Sequence, residues 1–83
     1  MMRLRVLLFA AVRQSAQQDW IDVDVAEDSP VAGDVLAAVA DQLPAIAPLI
    51  PSCRLAVDDS YVGNNTPIDD TSIIALIPPT SGG

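Results

Sequence analysis

The segment WIDVDV, Trp20–Val25, followed by SPVAGDVLAAVADQLP, residues 29–44, decides the fold. In the first segment apolar and polar residues alternate, which is typical of a strand with one buried face. In the second segment the apolar residues recur about every fourth position, as they do along one side of a helix. Ser29 and Pro30 suit the start of this helix, and Pro44 ends it. The change of period therefore predicts a strand followed by one main helix.

The segments on either side complete a predicted sheet. The other predicted strands are residues 3–11, Arg54–Val57, 61–62 and 73–77. Polar residues 14–18 read as a turn, so the first two strands form a hairpin. The order β-β-α-β-β predicts an α+β domain in which a mixed sheet of four to five strands carries one helix on one face. This is the ubiquitin-like β-grasp arrangement. We expect residues 1–77 to form this domain and residues 78–83 to form a flexible, extended tail.

Composition and charge exclude several classes of protein. The chain has 83 residues, of which 51% are hydrophobic and only 4% aromatic, so an aliphatic core is expected. Four basic residues against eleven acidic ones give a net charge of −7. Nucleic acid and anionic membranes are therefore poor partners, because both require a basic surface. A basic protein partner is favoured instead, since complementary fields speed encounter.

Few side chains suited to catalysis are present. The chain has no histidine, the commonest general base and metal ligand. The single cysteine, Cys53, cannot form an internal disulfide or a Cys/His zinc site. We therefore expect no bound cofactor, no metal and no catalytic side chain, and a protein on which other enzymes act.

The N-terminal segment has some features of a signal peptide. Arg3 and Arg5 precede an apolar run, residues 6–12, that is only seven residues long. No small-x-small cleavage site follows this run, so a buried strand is the better interpretation. No stretch approaches the roughly 20 apolar residues of a membrane span. We therefore expect a cytoplasmic protein.

The terminal segment PPTSGG, residues 78–83, carries the chemical signal. Pro78 and Pro79 remove backbone donors and favour a stiff, extended exit from the last strand. Gly82 and Gly83 lack Cβ atoms, so this end fits a channel too narrow for any side chain. The Gly83 carboxylate is then the group presented, and ATP-dependent adenylation is the usual way to activate it. The alternative is a frayed terminus without function.

Three segments resemble the small subunit of molybdopterin synthase: LLFAAVR (7–13), LAVDDSYV (55–62) and IALIPPTSGG (74–83). The resemblance spans the whole chain and implies a sulfur carrier. In that family an adenylating enzyme related to ubiquitin activators uses ATP to form an acyl-adenylate on the last glycine, and a sulfur donor protein then supplies the thiocarboxylate sulfur. The tail enters the large synthase subunit and gives this sulfur to cyclic pyranopterin monophosphate, forming the molybdopterin dithiolene. Two small and two large subunits form a heterotetramer.

The resemblance also implies roles for individual residues. Gly83 matches the residue that becomes the thiocarboxylate. The residues that match the tail entering the partner are Pro78, Pro79, Thr80, Ser81 and Gly82. The residues that match an apolar patch docking onto the large subunit and the activating enzyme are Phe9, Tyr61 and Ile77. Without the resemblance these three are equally well read as core residues. Arg13 matches an arginine for which a contact with the activating enzyme is expected.

Two departures and three alternatives accompany this interpretation. Family members often carry Asn at the position of Asp58, and Gly-Asp-Glu at residues 70–72, where this chain has Asp-Thr-Ser. One alternative is a sulfur carrier of another pathway, such as thiamine, cysteine or tRNA thiolation, although thiamine-pathway carriers are generally shorter and lack the Pro-Pro arm. The others are a ubiquitin-like modifier joined to lysines through Gly83 and a binding module that uses only its sheet. Only the binding module would retain its function without Gly82 and Gly83.

Overall fold

The computed structural model describes residues 1–79, which form one five-stranded sheet with helices. The strands are β1 (Met2–Leu8), β2 (Trp20–Val25), β3 (Arg54–Val57), β4 (Ser60–Val62) and β5 (Ile74–Ile77). The helices are α1 (Ala10–Ala16), α2 (Ala32–Gln42) and a 3₁₀ helix (Ala47–Ser52). The strand order is β2-β1-β5-β3-β4, and of the adjacent pairs only β1 and β5 are parallel. The predicted α+β class with a mixed sheet is confirmed.

The core is aliphatic and lies between one face of the sheet and α2. Alternate residues of the strands point into it, because successive side chains of a strand lie on opposite faces. The fully buried strand and helix residues include Val6, Val23, Leu76, Val35 and Val39. Each such side chain contributes about 1.5–3 kcal/mol relative to an exposed one. None of the three aromatic side chains of the chain enters this core.

The first strand ends earlier than the sequence predicts. β1 stops at Leu8, and residues 10–16 form α1. The predicted strand is therefore wrong for residues 9–11, and the predicted turn at residues 14–18 is wrong for residues 14–16. Val12 is fully buried and attaches α1 to the core. Gln17 ends the helix in the left-handed region, at φ 57°, and its N–H donates to the Arg13 carbonyl at 2.8 Å. The predicted antiparallel pairing of β1 and β2 is confirmed.

The start of α2 also differs from the prediction. Its N-terminal cap is Val31, in an extended conformation, rather than Ser29. Val31 forms an isolated antiparallel bridge with Pro67, and this contact keeps it out of the helix. Three N–H groups here have partners: Ala32 donates to the Thr66 carbonyl, Gly33 to the Asn64 carbonyl and Val31 to the Asp34 carboxylate, each at 2.9 Å. The loop before β5 thus supplies acceptors for two of the N–H groups at the start of α2, and Asp34 supplies the third.

We expect Asp34→Ala to lower the free energy of unfolding by about 1 kcal/mol, because the Val31 N–H loses its acceptor. Chemical denaturation in urea measures the change. Asp41→Ala is the control, since Asp41 is an exposed residue of the same helix. A surface change of this kind costs less than about 0.5 kcal/mol. Equal losses in the two variants would show that Asp34 does not act as a cap.

The β3–β4 hairpin is attached to the start of β5. Its turn consists of Asp58 and Asp59 at φ 50° and 71°, a pair of left-handed residues typical of a tight type I′ turn. The Asp58 N–H donates to the Ile73 carbonyl at 2.9 Å, and the Asp58 carboxylate accepts from the Ile73 N–H at 3.0 Å. Ile73 therefore lies just outside β5, although the predicted last strand included it. Within residues 1–79, no helix has the length and apolar character needed to span a bilayer.

Candidate functional site

The face of the sheet opposite the core carries a continuous row of apolar residues. The strand register places five of them side by side across all five strands: Trp20, Leu7, Ala75, Ala56 and Tyr61. The two alanines lie in the middle of the row and the two aromatic residues lie at its ends. Because alanine side chains are short, the centre of this face is a shallow trough. We call this side of the sheet the open face.

One half of the open face is charged and internally paired. Arg3 binds Asp24 at 2.8 Å, and Arg5 binds Asp22 at 3.2 Å. The hydrogen bond from Arg3 lowers the pKa of Asp24 below its ordinary value. The Arg5 guanidinium also lies over the Trp20 ring, 3.7 Å from its centroid. The charges on this half are therefore largely satisfied within the chain.

The other half is mainly apolar and contains the three predicted docking residues. Phe9, Tyr61 and Ile77 line one concavity of about 260 Å³ together with Ile73. Phe9 is 43% exposed, Tyr61 60% and Ile73 62%, so these side chains do not belong to the core. Single exposed apolar residues are ordinary, whereas a contiguous group marks an interaction surface. We call Phe9, Tyr61, Ile73 and Ile77 the apolar patch.

The tail leaves the domain directly beside the apolar patch. β5 ends at Ile77, and Pro78 and Pro79 follow it without regular structure. Both prolines line a larger concavity of about 740 Å³, which extends from Phe9 and Ile77 to α1 and to Leu49 of the 3₁₀ helix. The other predicted tail residues, Thr80, Ser81, Gly82 and Gly83, lie outside the described residues. The structure therefore brings the apolar patch and the base of the tail together.

Arg13 occupies a different position from the other predicted contact residues. It is exposed on α1, and its backbone N–H donates to the Phe9 carbonyl at 3.3 Å. It lines neither the 260 Å³ nor the 740 Å³ concavity. A partner that contacts both Arg13 and the apolar patch must extend past Phe9 onto α1.

Comparison with known proteins identifies the family. Residues 6–83 match the ThiS family. This chain belongs to the ThiS family. Among its relatives is the molybdopterin synthase sulfur carrier subunit of Dictyostelium discoideum, which is 29% identical over 83 residues, with 98% of this chain and 96% of the relative covered. The family resemblance given by the sequence is thus confirmed.

Solved structures confirm the ubiquitin-like β-grasp fold of this ThiS-family chain. The crystal structure of small archaeal modifier protein 1 from Haloferax volcanii matches with a TM-score of 0.83 at 19% identity, covering 96% of this chain and all of that chain. The complex of subunits 1 and 2 of the molybdopterin-converting factor from Helicobacter pylori matches with a TM-score of 0.68 at 20% identity, covering 99% and 100%. Likeness at these identities establishes the fold alone.

Sequence reasoning missed one member of the apolar patch in this ThiS-family chain. The sequence predicts that Ile73 belongs to the last strand with residues 74–77, yet it lies before β5 and is exposed. The signal was present, because strict alternation in a strand places residues 73, 75 and 77 on one face when Ile74 and Leu76 are buried. Because residues 73–77 are all apolar, the two faces of the strand could not be distinguished from the sequence.

The described part of the chain fits neither of two other kinds of site, a metal site and a reactive thiol. Residues 1–79 contain no group of three or more Cys, Asp or Glu side chains that can hold a metal ion. The Cys53 thiol is half-buried and donates to the Leu49 carbonyl at 3.2 Å. Burial raises the pKa of this thiol, which disfavours the nucleophilic thiolate.

Proposed function

We propose that this protein is a cytoplasmic sulfur carrier for molybdopterin synthesis, in which the Gly83 carboxylate is the group that carries sulfur. The observation that carries the proposal is the position of Ile77. This residue belongs to the apolar patch and is also the last residue of β5 before the PPTSGG tail. A partner that docks on the patch therefore has the base of the tail directly beside its own surface. Membership of the ThiS family and the sulfur carrier named among its relatives support the same function.

The chemistry requires three other proteins that act in turn on the carboxyl group of Gly83: an adenylating enzyme, a sulfur donor and the large synthase subunit. An adenylating enzyme related to ubiquitin activators lets a Gly83 oxygen attack the α-phosphate of ATP, which releases pyrophosphate and leaves an acyl-adenylate. Sulfur at the oxidation level of sulfide, supplied by a donor protein, then attacks the acyl carbon and displaces AMP, which gives the thiocarboxylate. In the large synthase subunit the thiocarboxylate sulfur replaces an oxygen substituent of cyclic pyranopterin monophosphate, which leaves the carrier joined to the precursor as a thioester. Water then hydrolyses this thioester and restores the Gly83 carboxylate, and two loaded carriers are used for each dithiolene.

The residues of this chain bind and position the tail and do not catalyse. The apolar patch supplies the docking surface, and Pro78 and Pro79 set the direction in which the tail leaves it. Gly82 and Gly83 keep the end narrow enough for a confined active site. The Helicobacter pylori complex pairs two subunits of a molybdopterin-converting factor, and it supports a large subunit as the partner here. We propose the heterotetramer described above for this pair.

Intact-mass measurement tests the carrier chemistry. The protein is incubated with ATP, an adenylating enzyme from the same cells and a sulfur source. We expect a mass increase equal to replacing one oxygen by sulfur, and no increase after deletion of Gly83. Cys53→Ser is the matched control and should keep the increase, because the exchange of oxygen for sulfur takes place at Gly83. A persulfide on Cys53 would instead add a whole sulfur atom, and it would be lost in this variant. No increase beside a competent control carrier would overturn the proposal.

Addition of the large subunit and the pyranopterin precursor tests the pathway. We expect the loaded protein to return to its starting mass while molybdopterin forms. A loaded protein that keeps its sulfur under these conditions would instead serve another thiolation pathway. Products in which Gly83 is joined to lysines of other proteins would identify a ubiquitin-like modifier.

A further inference from the structure

Two oppositely charged residues flank Tyr61 on the open face. Arg54 is the register partner of Ile77, at the end of the face where the tail begins. Its guanidinium lies 5.5 Å from the centroid of the Tyr61 ring. Asp59 belongs to the β3–β4 turn at the other end and lines the 260 Å³ concavity of the apolar patch. The patch thus has a positive end at the tail and a negative end at the hairpin turn.

These two charges are available to a partner. The ion pairs formed within residues 1–79 include Arg3 and Arg5 but neither Arg54 nor Asp59. Arg54 also lines a concavity of about 210 Å³ with Tyr61, Ile77 and the two tail prolines. A guanidinium held over an aromatic ring is restrained, so less entropy is lost when it binds a carboxylate.

A protein that covers the apolar patch removes water from both charges. An unpaired charge at such a surface is costly, whereas an opposite charge on the partner offsets the lost hydration. The net charge of −7 favours a partner that is basic overall. A carboxylate opposite Arg54 is then a local exception, and it distinguishes the correct docking orientation from the reversed one.

We propose that Arg54 and Asp59 select and orient the large synthase subunit, an inference that rests on the proposed function. The large subunit presents an Asp or Glu to Arg54 and a Lys or Arg to Asp59, on either side of an apolar site for Tyr61. This arrangement directs the tail, which begins one residue after Ile77, towards the active site. Reversing the two charges on the carrier reverses the preferred orientation without changing its net charge.

Charge swaps measured by calorimetric titration with the wild-type large subunit test this inference. We expect Arg54→Glu and Asp59→Lys each to raise Kd about 10- to 100-fold, because like charges then face one another. The double variant R54E/D59K has the wild-type net charge and should bind no better than either single variant. The control R3E/D24R exchanges a charge pair on the far half of the open face and should change Kd less than about threefold.

Each outcome decides the inference. Wild-type affinity in R54E/D59K would show that only net charge matters, and an unchanged Kd in R54E would show that no carboxylate faces Arg54. Either result would overturn the inference while leaving the sulfur-loading result intact. A wild-type protein that loads sulfur but fails to bind the large subunit would overturn the molybdopterin pathway and this inference together.

Folding is checked separately by thermal denaturation of every variant. Asp59 has φ 71°, a conformation that Asp and Asn adopt more readily than Lys. Asp59→Asn therefore replaces Asp59→Lys if the lysine variant is destabilised. Its neutral side chain is expected to weaken binding about 3- to 10-fold. Unchanged affinity in a folded Asp59→Asn variant would overturn the role of Asp59.

Discussion

Leu76→Ala is expected to lower the free energy of unfolding by about 2–5 kcal/mol, because it leaves a cavity under the central strand. Leu76 has no exposed surface and lies in β5, between β1 and β3. The whole domain is stabilised by about 4–12 kcal/mol at roughly 0.05–0.15 kcal/mol per residue. One substitution thus removes a large share of the total. Urea denaturation followed by circular dichroism measures it.

Ile77→Ala is the matched control, one residue along the same strand. Its side chain points to the open face, so we expect it to cost less than about 1.5 kcal/mol of stability. It should instead weaken binding to the large subunit by about tenfold or more, as truncation of an interface anchor does. Equal stability losses at the two positions would contradict the alternation of faces in β5.

Gly82→Val is expected to reduce sulfur transfer to the precursor about 100-fold while leaving stability unchanged. A branched side chain next to Gly83 widens the tail and displaces the reacting group, and a misplacement near 1 Å can cost this much in rate. The substitution lies beyond β5, so the core contacts are retained. Single-turnover transfer from carrier loaded beforehand measures the rate independently of the adenylation step.

Gly63→Val is the control for this substitution. Gly63 lies in an exposed loop, and a Cβ added there would meet nothing within 4 Å. We expect it to transfer sulfur at the wild-type rate. If Gly82→Val transferred sulfur equally well, the tail would not enter a narrow channel.

The sequence predicted the elements whose pattern is regular over several residues. The alternation in Trp20–Val25 predicted β2 and its buried face, and the four-residue spacing predicted α2. It did not predict α1, because seven residues with one buried position, Val12, give too little periodicity. The chain also enters α1 through Ala10 at φ 51°, without the glycine or asparagine that usually signals such a turn.

Features that depend on contacts between distant segments could not be predicted from the sequence. The start of α2 is set by the bridge between Val31 and Pro67, and no local pattern specifies that contact. Family resemblance selected Phe9 and Tyr61 for the site. The positions of Arg54 and Asp59 beside them follow only from the register of β3, β4 and β5. The roles of residues 80–83 stay predictions.

The central position of β5 has a consequence for folding during synthesis on the ribosome. The β1–β2 and β3–β4 pairs are joined within the sheet only through β5, which is synthesised after all the other strands. Domains fold as units during synthesis, so this sheet is completed only once residues 74–77 have emerged. A nascent chain that terminates early lacks both the tail and the strand that holds the two halves together. Translation products that stop before residue 74 therefore cannot complete the sheet, and they are not expected to occupy the partner as inactive competitors.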